Sequence, residues 1–271
     1  MKLNFIKMHG AGNDYIYVDC LAKEVSEPQK LAQILSKRHF SVGADGLVMI
    51  CPSKIAHAKM RIFNSDGSEA KMCGNAARCV GKLLYESNFI RKSLIRLETE
   101  SGVRELFLTV RDGKVEKITV DMGKAELGEM FFFEVCGQKF EMRSVNMGNE
   151  HQVTIVPDVD YLDLVKMGGA FEKNPRYPDG VNTEFCETVG ANHLKVRTFE
   201  RGSGETLSCG TGACAAAAAG VLSGVCDPQK PIRISMRGGE LVVFCGDMEH
   251  VRLLGTAHKV FEGIVDLPDK F

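Results

Sequence analysis

The sequence predicts a mixed α/β (α+β) protein of two pseudo-symmetric domains, each a strand-rich sheet wrapped around a central helix. Three observations carry this. Cys73-Gly74 and Cys209-Gly210 lie 136 residues apart, and the same spacing pairs Gly12 with Gly148, Asn13 with Asn149, Lys37 with Lys173, Lys59 with Lys195, Arg61 with Arg197, Phe63 with Phe199, Glu69 with Glu205 and Gly102 with Gly238. A constant spacing with no insertion argues for two copies of one unit. The 271 residues suffice for two domains of ordinary size, each able to bury its own core. Within each half, short β-branched and aromatic runs alternate with a few helical segments.

The elements follow in chain order. Residues 3–8 and 15–20 read as strands, rich in Ile, Val and Tyr. Pro28 opens a helix with Leu31, Ile34 and Leu35 on one face, expected to run to about His39. Strands follow near 47–51 and 59–63, then a helix from about Gly74 to Ser87, then strands at 94–99, 103–110 and 115–121 with Asp112-Gly113 as a hairpin turn. The second half gives a strand at 152–156, a short helix near 160–167 and a strand at 195–199. Residues 213–220 form a helix of very small, uncharged residues, expected to be buried. Hairpin strands fill 231–236, 240–245 and 249–254. The expected domains are 1–121, carrying Cys73, and 122–261, carrying Cys209, with a strand at 262–271 packing back onto the first.

The formal charge is −1 and the basic residues are scattered, which points away from nucleic-acid and membrane partners and toward a small-molecule ligand. The first eight residues alternate and carry Lys7, unlike a secretory signal, and no apolar run approaches the ~20 residues of a membrane span. A cytoplasmic location is expected, with the ten cysteines reduced. No Cys-x-x-Cys occurs, so a zinc ribbon is not expected, nor any other metal site. Cys20, Cys51, Cys136, Cys186, Cys226 and Cys245 read as small core residues, and Cys79 and Cys214 as helix-interior ones.

Each Cys-Gly stands immediately before a helix. A helix N-terminus offers unpaired N–H groups and a positive dipole end, which binds a carboxylate and lowers the pKa of a thiol beside it. Glycine at 74, 210 and 212 lets backbone approach a ligand closely. Two such units supply one sulfur for each face of a carbon atom. That is what racemisation or epimerisation without a cofactor requires: one thiolate removes the α-proton and the other thiol returns a proton to the opposite face.

The two motifs are longer than this argument needs. Phe63-Asn64-Ser65-Asp66-Gly67-Ser68-Glu69-Ala70-Lys71-Met72-Cys73-Gly74-Asn75-Ala76-Ala77-Arg78 and Phe199-Glu200-Arg201-Gly202-Ser203-Gly204-Glu205-Thr206-Leu207-Ser208-Cys209-Gly210-Thr211-Gly212-Ala213 resemble the signatures of the diaminopimelate epimerase family. The opening Lys7-Met8-His9-Gly10-Ala11-Gly12-Asn13-Asp14 and the stretch Asp179-Gly180-Val181-Asn182-Thr183-Glu184 fit too, so the resemblance spans essentially the whole chain. It implies an isomerase that interconverts LL- and meso-2,6-diaminopimelate in lysine and peptidoglycan precursor synthesis, without pyridoxal phosphate or metal, as a homodimer. It implies Cys73 and Cys209 as the two bases, with His151 and Glu200 beside the reacting centre. Gly74, Asn75, Gly210 and Thr211 would hold the reacting carboxylate, while Asn13, Asn64, Asn149, Asn182 and Arg201 would read the substrate. Arg suits the distal carboxylate as a bidentate donor, and Asn can donate to one group and accept from another. The family usually has Pro where this chain has Glu150 and Gly where it has Ala76.

Other readings account for less. A related racemase acting on another amino acid such as histidine keeps the mechanism and moves the substrate. A cysteine hydrolase or acyltransferase using Cys209 with His151 leaves the Cys73 repeat unexplained. A non-catalytic amino-acid-binding protein would keep Arg201 and the glycines but need no thiols.

Overall fold

The computed structural model describes residues 2–267 and divides into two compact units. Unit 1 holds the residues up to Val120 together with those from Gly255 on, and unit 2 runs from Asp121 to Leu254. The first half gives β1 (Lys2–Gly10), β2 (Asn13–Asp19), α1 (Pro28–Leu35), β3 (Gly46–Cys51), β4 (Ala58–Asn64), β5 (Glu69–Ala70), α2 (Gly74–Glu86), β6 (Leu94–Thr99), β7 (Gly102–Arg111) and β8 (Lys114–Gly123). The second gives β9 (Glu126–Val135), β10 (Gln138–Asn146), β11 (Glu150–Ile155), α3 (Leu164–Glu172), β12 (Asn182–Gly190), β13 (His193–Glu200), β14 (Gly204–Thr206), α4 (Gly210–Leu222), β15 (Ile232–Met236), β16 (Gly239–Phe244) and β17 (Val251–Gly255). β18 (His258–Asp266) then returns to pair with β1.

The two units share one topology. In unit 1 the order is β18-β1-β2-β3-β4-β6-β7-β8, parallel only at β2–β3 and β4–β6. In unit 2 it is β9-β10-β11-β12-β13-β15-β16-β17, parallel only at β11–β12 and β13–β15. Registers match at the repeat spacing: Tyr15 faces Gly46 as His151 faces Asn182, and Phe63 faces Glu69 as Phe199 faces Glu205. Even the flanking ion pairs repeat, Arg61 to Glu69 at 2.8 Å and Arg197 to Glu205 at 2.7 Å. The expected boundary at 261 falls inside β18, whose partner is β1, so the strand belongs to unit 1 from its first residue. Residues 268–271 of the expected last strand lie outside the described residues.

Four expectations are corrected. The repeat carries one insertion after α4: Thr99 faces Gly102 at the β6–β7 turn and Met236 faces Gly239 at the β15–β16 turn, so Gly102 is equivalent to Gly239, not Gly238. α1 stops at Leu35, capped by Ser36, and His39 has a positive φ of 71° that no helix accepts. α3 begins at Leu164 rather than near 160, because the Asp163 side chain accepts from Lys166 N and fixes the start there. The strands β9, β10 and β12 were not expected, and Asn182 begins β12.

The core explains the helices. α4 is buried from Gly212 to Gly220 and meets β10 to β13, β15 and β16, so the strands wrap it on all sides. Only residues as small as Ala allow that approach; Leu194 Cδ1 would lie 3.1 Å from a Cβ placed on Gly220. α2 lies inside unit 1 in the same way, with Gly81 set against Leu106. α3 is held by Phe171, whose ring meets Phe140 and Phe185 edge-on at 5.1 and 5.0 Å. Asp112 and Gly113, at φ 50° and 75°, make the tight turn between β7 and β8. Among the described residues no helix is long and apolar enough to cross a membrane.

Ala217 is fully buried on α4. Ala217→Leu should overpack this helix and cost about 1–3 kcal/mol, read as a lower urea midpoint at an unchanged slope.

Candidate active site

In unit 1 the backbone of Cys73 is extended, with φ −146° and ψ 115°, and its sulfur caps α2 by accepting from Ala76 N at 3.5 Å. The first intrahelical bond is Ala77 N to Cys73 O, so the N–H groups of Gly74 and Asn75 stand ahead of the helical ladder. The thiol donates to Asn13 Oδ1 at 3.3 Å, and Asn75 Nδ2 donates to the same oxygen at 3.2 Å. Asn13 in turn donates to Asp45 Oδ2 at 2.8 Å. Behind Asn75 lies the fully buried Arg78, which donates to Asn75 Oδ1 at 2.8 Å and to Thr256 O at 3.2 Å. Burial and the neighbouring Asp14 push the Asp45 carboxyl above its usual range. Cys73, Gly74, Asn75 and Asn13 therefore form one cluster. Asn64 closes the turn after β4, donating to Ser68 Oγ at 3.0 Å.

Unit 2 has the same backbone and different chemistry. Cys209 is extended at φ −121° and ψ 119°, and its sulfur accepts from Gly212 N at 3.3 Å, with Thr211 Oγ1 3.4 Å away. The Glu200 carboxylate hydrogen-bonds the thiol and accepts from Thr206 Oγ1. His151 and Glu184 are both fully buried, with His151 Nδ1 3.0 Å from Glu184 Oε1 and Nε2 3.2 Å from Asn149 Oδ1. Gly212 is glycine for a reason of space: a Cβ there would stand 2.4 Å from Glu184 Oε1. Asn182 accepts from Arg201 N at 2.9 Å, and the exposed Arg201 guanidinium donates to Asp179 O at 3.1 Å. Glu150 is exposed and accepts from Asn146 Nδ2 at 2.7 Å, so its carboxylate is taken up within the β10–β11 hairpin.

A helix N-terminus should lower the pKa of both thiols. Cys209 departs from this. Burial first, then the charges of Glu200 and Glu184, hold it well above the ordinary thiol value, against the opposing contacts of Thr211 and Gly212 N–H. Burial also raises the Glu200 carboxyl, partly offset by its hydrogen bonds from Thr206 and Cys209. Among the described residues no three His, Cys, Asp or Glu side chains are grouped to hold a metal ion.

A family profile described as diaminopimelate epimerase matches residues 5–128 and 143–260. A diaminopimelate epimerase of Acetivibrio thermocellus is 46% identical over 98% of this chain and 99% of its own length. One from Methanococcus maripaludis is 42% identical over 98% of this chain and all of its own length. The chain belongs to the diaminopimelate epimerase family. The fold reaches beyond that family. A probable proline racemase from Agrobacterium radiobacter superposes with a TM-score of 0.77 at 17% identity, covering 99% of this chain and 93% of that one. A predicted epimerase from Pseudomonas aeruginosa does so with 0.75 at 16%, covering 98% of this chain and all of the other.

Two residues inside the quoted motifs, Glu184 and Arg78, and one outside them, Asp45, join the site without a sequence signal of their own. Glu184 ends the stretch beginning at Asp179, and the two-residue alternation of β12 sets it on the same face as Asn182. Arg78 is three residues past Asn75 in a helix, hence on its face. Asp45 follows the first helix in a loop with no periodic signal.

Glu200→Gln removes the charge that raises Cys209 most, and iodoacetamide should then alkylate Cys209 several-fold faster, read at pH 7.5 against wild type. The same variant has a signature in stability. A carboxyl raised in the folded state contributes fully below its unfolded value, near 4.5, and loses that contribution as pH rises through the folded value. Gln suffers no such loss, so the stability of Glu200→Gln relative to wild type should increase from pH 4 to pH 7 in urea titrations.

Proposed function

We propose that this chain epimerises 2,6-diaminopimelate between its LL and meso forms, with its own two thiols as the acid and the base, in the supply of lysine and peptidoglycan precursors. The observation that carries the reading is the repeated placement of a cysteine sulfur as the N-cap of a buried helix, at Cys73 and at Cys209. Family membership over nearly the full length supports the substrate.

The reaction runs as follows. The carboxylate at the reacting carbon accepts from the N–H groups of Gly74 and Asn75 and of Gly210 and Thr211. Those donors also meet the negative charge that grows on the carboxylate as the α-proton leaves, which is where stabilisation raises the rate. One sulfur takes the α-proton as a thiolate and the other delivers a proton as a thiol, so configuration inverts. Cys209, held protonated by burial and by Glu200 and Glu184, is the donor in the resting state. Glu200, with Thr206 behind it, receives the thiol hydrogen bond, and Glu184 fixes the His151 ring through Nδ1. Arg201 binds the distal carboxylate, and Asn13, Asn64, Asn149 and Asn182 read the remaining polar groups of the substrate. The chemistry needs like residues in both units, and the distal end needs unlike ones: Glu200 and Arg201 stand at the repeat positions of Asn64 and Ser65.

Proton NMR in D2O tests this with reduced protein and LL-diaminopimelate, meso-diaminopimelate, L-histidine or L-lysine. The α-proton signal should vanish only with the diaminopimelates. Cys73→Ser and Cys209→Ser should each lower turnover by about 10²–10⁴-fold. Retained activity in Cys73→Ser would instead favour a single-cysteine hydrolase, and exchange with histidine alone would move the substrate. Arg201→Met should cost about ten- to a hundredfold in kcat/KM, the value of one charge-assisted contact.

A further inference from the structure

Six cysteines outside the helix N-termini read from sequence as small core residues. Two of them are not isolated. β2 and β3 run parallel with Asp19 opposite Ile50, and Cys20 N donates to Ile50 O at 2.8 Å, so the pairing continues one residue past β2 and brings Cys20 abreast of Cys51. Both side chains enter the cluster formed by Leu3, Phe5, Val18 and Val25. The two thiols are near enough for each to act on the other's ionisation. Neighbouring strands lie about 4.8 Å apart, inside the roughly 4.4–6.8 Å window of Cα separations that a disulfide spans.

Access and charge differ between the two. Cys20 is buried, whereas Cys51 is half-buried at the end of its strand. Lys59 stands directly opposite Cys51 on β4, and Arg61 lies on the same face two residues further along. The neighbouring Cys20 thiol first, then the charges of Arg61 and Lys59, bring the Cys51 thiol below its ordinary value, against burial and Glu24. Lys59 also pairs with Glu98 and Glu100, each at 3.3 Å, and Arg61 with Glu69, so neither cation is left over to bind an anion of its own. A partly exposed thiol beside cations, with a second thiol abreast of it on the next strand, is the arrangement on which thiol–disulfide exchange depends.

We infer that Cys51 and Cys20 are a modification site: a reactive thiol and its resolving partner, which a low-molecular-weight disulfide such as oxidised glutathione converts into an intrachain disulfide. The Cys51 thiolate attacks one sulfur of the glutathione disulfide, that S–S bond breaks, and one glutathione thiolate leaves. Cys20 gives its proton to the departing thiolate and attacks Cys51 Sγ, expelling the second glutathione. Two protein thiols are oxidised and one glutathione disulfide is reduced to two thiols. The site is independent of the proposed epimerisation, since Cys51 is five residues along β3 from Gly46, about 16 Å from the end that faces Asn64.

The test uses the full, reduced chain at pH 7.5 with graded oxidised glutathione, quenched with N-ethylmaleimide and mapped by peptide mass spectrometry. Cys136, exposed at the β9–β10 turn, is the internal reference. Free Cys51 should be lost about tenfold or more faster than free Cys136, and the product should be a Cys20–Cys51 cross-link. Cys20→Ser should stop at a glutathione adduct on Cys51, and Cys51→Ser should leave Cys20 unmodified with α-proton exchange unchanged. Equal rates at Cys51 and Cys136 would overturn the inference. So would a wild-type Cys51 adduct that never passes to the cross-link, a result that needs no variant to fold.

Discussion

Two helices begin inside their own sheets, and everything at the candidate site depends on how those beginnings are capped. A helix N-terminus carries donors that water cannot reach once strands enclose it. Ser, Thr, Asp or Asn is the usual solution. Here the acceptor is a cysteine sulfur, 3.5 Å from Ala76 N in one unit and 3.3 Å from Gly212 N in the other. The sulfur that completes the helix therefore has its position set by the backbone rather than by a free rotamer. The enclosing strands require small residues in α4, which is why the same stretch reads as glycine, alanine and cysteine almost throughout.

The repeat keeps the backbone and reverses the electrostatics. The Cys73 thiol donates to the amide of Asn13, which also accepts from Asn75, and Arg78 stands behind Asn75. Around Cys209 stand the carboxylates of Glu200 and Glu184, and the position equivalent to Arg78 is Cys214. A buried carboxylate raises a thiol by disfavouring a second negative charge beside it, as Glu200 and Glu184 do at Cys209. One repeated frame thereby sets its two sulfurs among different neighbours, and only in unit 2 are two carboxylates named among the causes that raise the thiol.

Much of this was legible from the repeat. The spacing of 136 located both Cys-Gly caps, the hairpin partners Phe63 and Phe199, and the ion pairs Arg61–Glu69 and Arg197–Glu205. Applied consistently it would have located more. Pro28 plus the same spacing gives Leu164, the observed start of α3, and β1 shifted by it gives β10 residue for residue. Composition argued against both: residues 138–146 are mostly polar because one face of β10 is exposed, and residues 160–163 carry two aspartates that read as a helix start but serve as a turn and a cap. The raised thiol of Cys209 could not be read at all. It arises first from burial that only the closed sheet creates, then from Glu200 and from Glu184, which is distant in sequence.

The return of β18 to β1 gives the two units different histories during synthesis. Unit 2 is a continuous stretch of chain, so its sheet can be completed as soon as Leu254 has left the ribosome. Unit 1 begins first and finishes last, because β1 is left with an unpaired edge until His258–Asp266 arrives. For most of translation that edge presents open N–H and C=O groups and the apolar Leu3 and Phe5, the kind of surface that chaperones shield and that misassembles at high concentration. The half of the molecule encoded first is thus the one whose native state depends on a strand made after the whole of the other half.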